Sequence, residues 1–159
     1  MIAALQAAPK GATAVFERHY KHPVDKVWAM LTDNTLLAKW FSELRIEDLK
    51  AGGMIQFDMG DGCFAEMKIT EMKVNSVLEY TWGKDMVRFE LSPAADGCRL
   101  LLIESIREIT GHTAKDLSGW HVCLDVIGAL LDGGELYNRK QVWKQWFVEY
   151  TSLVEGFNR

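Results

Sequence analysis

Cysteine and proline are both scarce in this chain, three of each in 159 residues. Cys63, Cys98 and Cys123 lie far apart with no C-x-x-C pair, so neither a disulfide framework nor a zinc ribbon is written into the sequence. They read as reduced, mostly buried thiols. No run approaches the ~20 apolar residues of a membrane span. The Ala-rich stretch Met1–Lys10 lacks the basic region and apolar core of a signal peptide. Residues 1–12 are therefore expected to be a flexible tail on a cytoplasmic protein, with residues 13–159 as one domain. An excess of positive charge is also missing. A net charge of −4 and a pI near 5.6 give no footprint for nucleic acid or an anionic membrane. Neither a G-x-S-x-G elbow nor a phosphate-binding glycine loop is present. There is no His-x-x-x-His pair or Cys/His cluster, so the sequence calls for no metal and no cofactor.

Apolar patterning, by contrast, is plentiful: 48% of residues are hydrophobic and 25% charged, ordinary values for a chain with a core. Thr13–Tyr20 reads as a strand. After it, Val24, Val27, Trp28 and Leu31 fall at i, i+3, i+4 and i+7, the stripe of an amphipathic helix, with Pro23 at its first turn. Trp40-Phe41 follows. Between residues 44 and 109, Gly and Asp turns separate five or six strands in an antiparallel meander. Ile55, Phe57 and Met59 alternate with polar residues in one of them. Leu78, Tyr80 and Trp82 do so in another, and Val87, Phe89 and Leu91 in a third. Cys98–Ile109 is read as the longest strand. Lys115–Leu131 is a helix so apolar that it must be central, and Asp132-Gly133-Gly134 stops it. Arg139–Val154 has a second helical pattern.

This order predicts an α+β domain in which a curved antiparallel sheet wraps around a long C-terminal helix, with two short helices after the first strand. The chain resembles the START-like (SRPBCC) superfamily with its helix-grip fold, and within it the homologues of the activator of the heat-shock-protein-90 ATPase. The residues that carry the resemblance are Pro23-Val24-x-x-Val27-Trp28-x-x-Leu31-Thr32-Asp33, Trp40-Phe41, the Gly52-Gly53 turn, Val87-x-Phe89-x-Leu91, and Gly119-Trp120. They span about residues 13 to 154. Thr110–Lys115 and Gly133–Gln141 look like local elaborations, so the last helical pattern is expected to be a separate helix.

The resemblance implies a cavity between sheet and helix for an apolar or amphipathic small molecule. Alternation supplies candidate wall residues: Phe57, Leu78, Tyr80, Trp82, Phe89 and Leu91 from the sheet, Trp120 and Leu124 from the helix, and Trp40 and Phe41 at the mouth. Each such residue is more often core than cavity wall. Glu104 discriminates better. The strand after Gly97 has two open inward frames, Leu100-Leu102-Glu104-Ile106 or Leu101-Ile103-Ser105, and the family pattern favours the first. An inward carboxylate is costly unless paired or protonated, and would orient a ligand or move a proton. The other reading points Glu104 at solvent or a rim arginine, Arg88 or Arg107. His121, on the flank of Leu117 and Leu124, is a candidate pocket residue or a hydrogen-bonded core histidine.

Three functions fit. The first is non-catalytic binding of a hydrophobic or amphipathic small molecule. The second is a polyketide cyclase/dehydratase-like enzyme with Glu104 or His121 as acid or base. The third is a co-chaperone-like interaction module with a chaperone as partner, although no stretch corresponds to an extra chaperone-binding domain. Trp143, Trp146 and Phe147 on the last helix offer a homodimer face, or core.

Overall fold

The computed structural model describes residues 1–158. Eight strands make one antiparallel sheet in the order β1-β2-β8-β7-β6-β5-β4-β3. They are β1 Ala4–Ala8, β2 Gly11–Tyr20, β3 Leu44–Ile46, β4 Met54–Gly60, β5 Cys63–Lys73, β6 Val77–Trp82, β7 Asp85–Ala94 and β8 Gly97–Ile106. Strands β3 to β8 are the expected meander. β2 then closes against β8, with Ala14 opposite Glu104. Register breaks at Asp58/Gly60 and Ile69/Glu71 bend the sheet, as an extra unpaired residue does.

Four helices cover the concave face. α1 (Val24–Thr32) and α2 (Asn34–Trp40) share Asp33, which ends the first and caps the second by accepting the Thr35 N–H. The Trp40 indole N–H donates to Met30 O at 2.7 Å and locks the corner. α3 (Thr113–Leu131) is the gripped helix, and Leu117, Trp120, Leu124 and Ile127 are almost wholly buried along it. α4 (Arg139–Phe157) is separate and packs on α3, so the fold is a helix grip with one added helix.

Four expectations need correcting. The predicted tail holds a strand: β1 pairs along β2, Ala3 is buried, and its N–H reaches the Tyr150 hydroxyl at 3.0 Å. β5, with eleven residues, is the longest strand. β8 stops at Ile106 because the Arg107 N–H turns to the Asp85 carboxylate. Met59 leaves the inward alternation at the Asp58/Gly60 bulge and is 63% exposed. The inward frame of β8 is the one containing Glu104, with Leu100, Leu102 and Ile106 buried beside it.

Candidate functional site

Where sheet meets α3, the space is filled by rings. Phe57, Tyr80, Trp82 and Phe89 project inward from β4, β6 and β7, and Trp120 from α3. Phe41, just after α2, closes the cluster. Phe41 lies 5.8 Å from Phe57, 5.7 Å from Trp82 and 5.8 Å from Trp120, while Trp82 and Trp120 are 5.0 Å apart. Phe89 approaches Trp120 at 6.0 Å and Tyr80 at 6.4 Å. Most of these pairs are edge-on or tilted, the arrangements favoured by ring quadrupoles. The expected cavity directly under the sheet is thus occupied by its own candidate wall.

An open groove of about 710 Å³ lies beside that cluster. Trp40, Phe41 and Glu43 bound it at the corner between α2 and β3. Asp116, Gly119, Trp120 and Val122 form its α3 wall, and Arg139, Lys140, Trp143 and Lys144 its α4 wall, with Trp82 at the inner end. Arg139 ties the walls together: its guanidinium donates to Trp40 O at 2.9 Å and approaches Cys123 Sγ at 3.6 Å. Burial pushes the Cys123 thiol up to about 12, which leaves it without nucleophilic thiolate. The Trp120 indole N–H is buried and unpartnered.

The α4 wall breaks the usual rules for helix ends. Its first turn holds Arg139 and Lys140, has no acidic residue, and lacks a side-chain cap. Cations at the positive end of a helix are disfavoured, each by ~0.3–1 kcal/mol. Lys144 stands one turn from Lys140, a like-charge pair that adds repulsion. Among the described residues neither lysine has an ion-pair partner.

Glu104 sits beneath α3, fully buried, with no donor to either carboxyl oxygen and the Asp116 carboxylate beside it. Burial drives its pKa far above the usual carboxylate range, and the neighbouring Asp116 and Asp85 carboxylates push the same way. It is a neutral acid at pH 7. Asp116 accepts the Trp82 indole N–H at 3.1 Å and stands between the groove and a more polar cleft of about 530 Å³. Asp85, Arg107, His112 and Thr113 line that cleft. The rim-arginine alternative is not seen for Arg88, which lies on the outer face among Glu71, Glu79 and Glu90.

His121 and Leu124 lie away from the groove. His121 is buried against Trp146, ring centroids 3.7 Å apart, and its Nδ1 meets the Tyr150 hydroxyl at 2.6 Å and Arg18 Nη2 at 3.3 Å. Arginine can only donate, so Nδ1 is an acceptor and Tyr150 also donates to it. Burial, helped by the Arg18 charge, lowers the His121 pKa to about 3. This is a neutral histidine that seats α4. Leu124 is core, and its carbonyl accepts from the Tyr20 hydroxyl at 2.8 Å.

Of the sequence candidates, Trp40, Phe41, Trp82 and Trp120 line the groove. Phe57, Tyr80 and Phe89 back them, Leu78 and Leu91 are core, Glu104 lies behind Asp116, and His121 and Leu124 are elsewhere. Asp116, Arg139, Lys140 and Lys144 were missed. The acid-free, cation-rich start of the last helix was the signal available for three of them.

The family model described as Activator of Hsp90 ATPase homolog 1-like protein matches residues 21–132, well over half of the chain. Among solved structures, EF2215 from Enterococcus faecalis, a conserved protein of unknown function, superposes with a TM-score of 0.81 at 24% identity, over 95% of this chain and 91% of that one. CalU16 from Micromonospora echinospora gives 0.76 at 22%, over 96% of both chains. DynU16, from the dynemicin biosynthetic locus, gives 0.67 at 22%, over 77% of this chain and 48% of its own. At these identities the likeness establishes the fold. None of the curated proteins matches.

Proposed function

The chain belongs to the Activator of Hsp90 ATPase homolog 1-like family, and we propose that it binds a hydrophobic or amphipathic small molecule in the groove between α2, α3 and α4. The observation that carries this reading is an apolar recess of ligand size with aromatic walls. Gly119 provides the test. It lies on the groove wall, and a Cβ there would meet nothing within 4 Å, so Gly119→Trp is chosen to direct an indole at the recess. Displacement of a fluorescent apolar probe should be lost in this variant while the thermal midpoint holds. Probe binding unchanged by the inserted ring would place the ligand elsewhere and end this reading.

One observation favours a catalytic variant of the same site. Glu104 is held protonated directly behind Asp116, and Asp116 opens to the groove. Such a pair could hand a proton to a bound carbonyl compound and recover it, as general acid–base catalysis requires. Glu104→Gln would then abolish turnover while leaving affinity intact.

A further inference from the structure

We infer that Asp116 is the polar anchor of the groove, and that the ligand is a neutral apolar molecule donating an O–H or N–H hydrogen bond to it. The inference rests on the binding reading above and specifies the chemistry of its ligand.

Asp116 stands in the first turn of α3, half-buried, on the wall of the open recess. It has no ion-pair partner among the described residues. Two neighbours fix it instead. The Trp82 indole N–H donates to its Oδ1 at 3.1 Å. Behind it lies Glu104, fully buried, with no donor to either oxygen and with Asp116 within reach of its own O–H. Two carboxyl groups in contact hold one proton between them, and the buried one keeps it because burial disfavours charge. Asp116 is therefore the acceptor of the pair. A carboxylate has about four acceptor sites, so these two neighbours leave part of that capacity free on a residue that faces open space. As a packing device the pair is poor: an apolar side chain at position 104 would join Leu102 and Ile106 with no polar atom left to satisfy. As a mount for an acceptor, Trp82 and Glu104 act in the same direction.

The surroundings decide the charge of the ligand. Phe41, Trp82 and Trp120 make the recess beside Asp116 apolar, so one fixed acceptor there orients a ligand without reorganising. An ammonium group drawn to Asp116 would meet Arg139, Lys140 and Lys144 on the facing wall and would shed its hydration in an apolar recess. A carboxylate would be repelled by Asp116 and Glu43. A neutral donor avoids both costs and still gains a charge-assisted hydrogen bond.

The test compares three probes at neutral pH: 2-naphthol, its methyl ether 2-methoxynaphthalene, and the cationic 2-naphthylmethylamine. Calorimetry reads their binding to the full chain, Asp116→Asn, Asp116→Ala and Gly119→Trp. Naphthol is expected to bind at least about tenfold more tightly than the ether, the margin of a hydrogen bond to a charged acceptor. That ratio should fall to roughly threefold in Asp116→Asn, whose amide oxygen is an uncharged acceptor, and vanish in Asp116→Ala. The ether is the internal control, because a merely structural role for Asp116 would weaken both probes alike. Asp116→Asn keeps the shape and an acceptor for Trp82, so it decides the question if the alanine variant unfolds. Equal affinities in the parent, or a ratio unchanged in Asp116→Asn, would refute the anchor and leave the groove reading standing. Tighter binding of the amine than of naphthol would refute the neutral ligand. If no probe binds, or if Gly119→Trp binds all three like the parent, the groove reading itself fails.

Discussion

Glu104→Gln should change how stability depends on pH more than it changes stability itself. In the folded protein Glu104 is buried with no donor to its carboxyl oxygens, and its pKa is raised well above the ordinary 4.5 by burial and by the Asp116 carboxylate beside it. For an acid displaced upward, folding retains a proton that the unfolded chain releases. Its contribution is complete below pH 4.5 and is lost as pH rises, by about 1.4 kcal/mol per unit, until the folded pKa is reached. Between pH 5 and pH 7 that amounts to roughly 2.5 kcal/mol. Glutamine keeps the shape and polarity but cannot ionise. The stability of Glu104→Gln relative to the parent should therefore rise by about that amount over the same interval, a relative gain of roughly 5–10 °C in midpoint for a chain of this size. Urea titrations followed by tryptophan fluorescence at pH 5, 6, 7 and 8 measure it. The difference between the two proteins cancels the titrating groups remote from Glu104 and keeps its coupling to Asp116 and Asp85. Parallel stability curves across this range would refute the neutral buried acid.

His121 works in the opposite direction. Its folded pKa is depressed to about 3, so the stability it confers is complete above pH 6.5 and is lost as pH falls toward 3. His121→Phe should flatten the acid limb of the urea profile, and an unchanged limb would remove the histidine as its cause. Gly119→Ala, in the interior of α3 with open space at its Cβ, should stabilise by about 0.5–1 kcal/mol, read as a higher thermal midpoint.

Periodicity carried most of the fold. The stripe through Val27, Trp28 and Leu31 placed α1, and the alternation through Tyr80, Val87, Phe89 and Leu91 identified the buried face of the sheet. Only the choice of frame in β8 needed the family pattern, because both frames are apolar. β1 was not legible: Ala-Leu-Gln-Ala-Ala has weak strand preference, and pairing with β2 together with the Ala3–Tyr150 bond holds it. The groove escaped for a similar reason. Its α4 wall is positioned by Tyr150 and Trp146 against His121, by Ala3 against Tyr150, and by Arg139 against Trp40. These contacts join residues far apart in the chain that no local pattern connects.

Trp120 and His121 make the point most directly, because neighbours on one helix serve two different faces. A turn of about 100° per residue aims the first at the sheet and the groove, and the second at β2 and α4. Trp120 can therefore act on a ligand by contact. His121 can act only through the seat of α4, which carries Lys140, Trp143 and Lys144 into the opposite wall. With the grip itself filled by rings, the position of α4 sets the width and charge of the recess. The sheet supplies the rigid support behind it. Changes in ligand preference should therefore arise at the start of α4 and at the α2–β3 corner, where side chains border open space. Substituting Tyr80 or Phe89 mainly opens a void in the core.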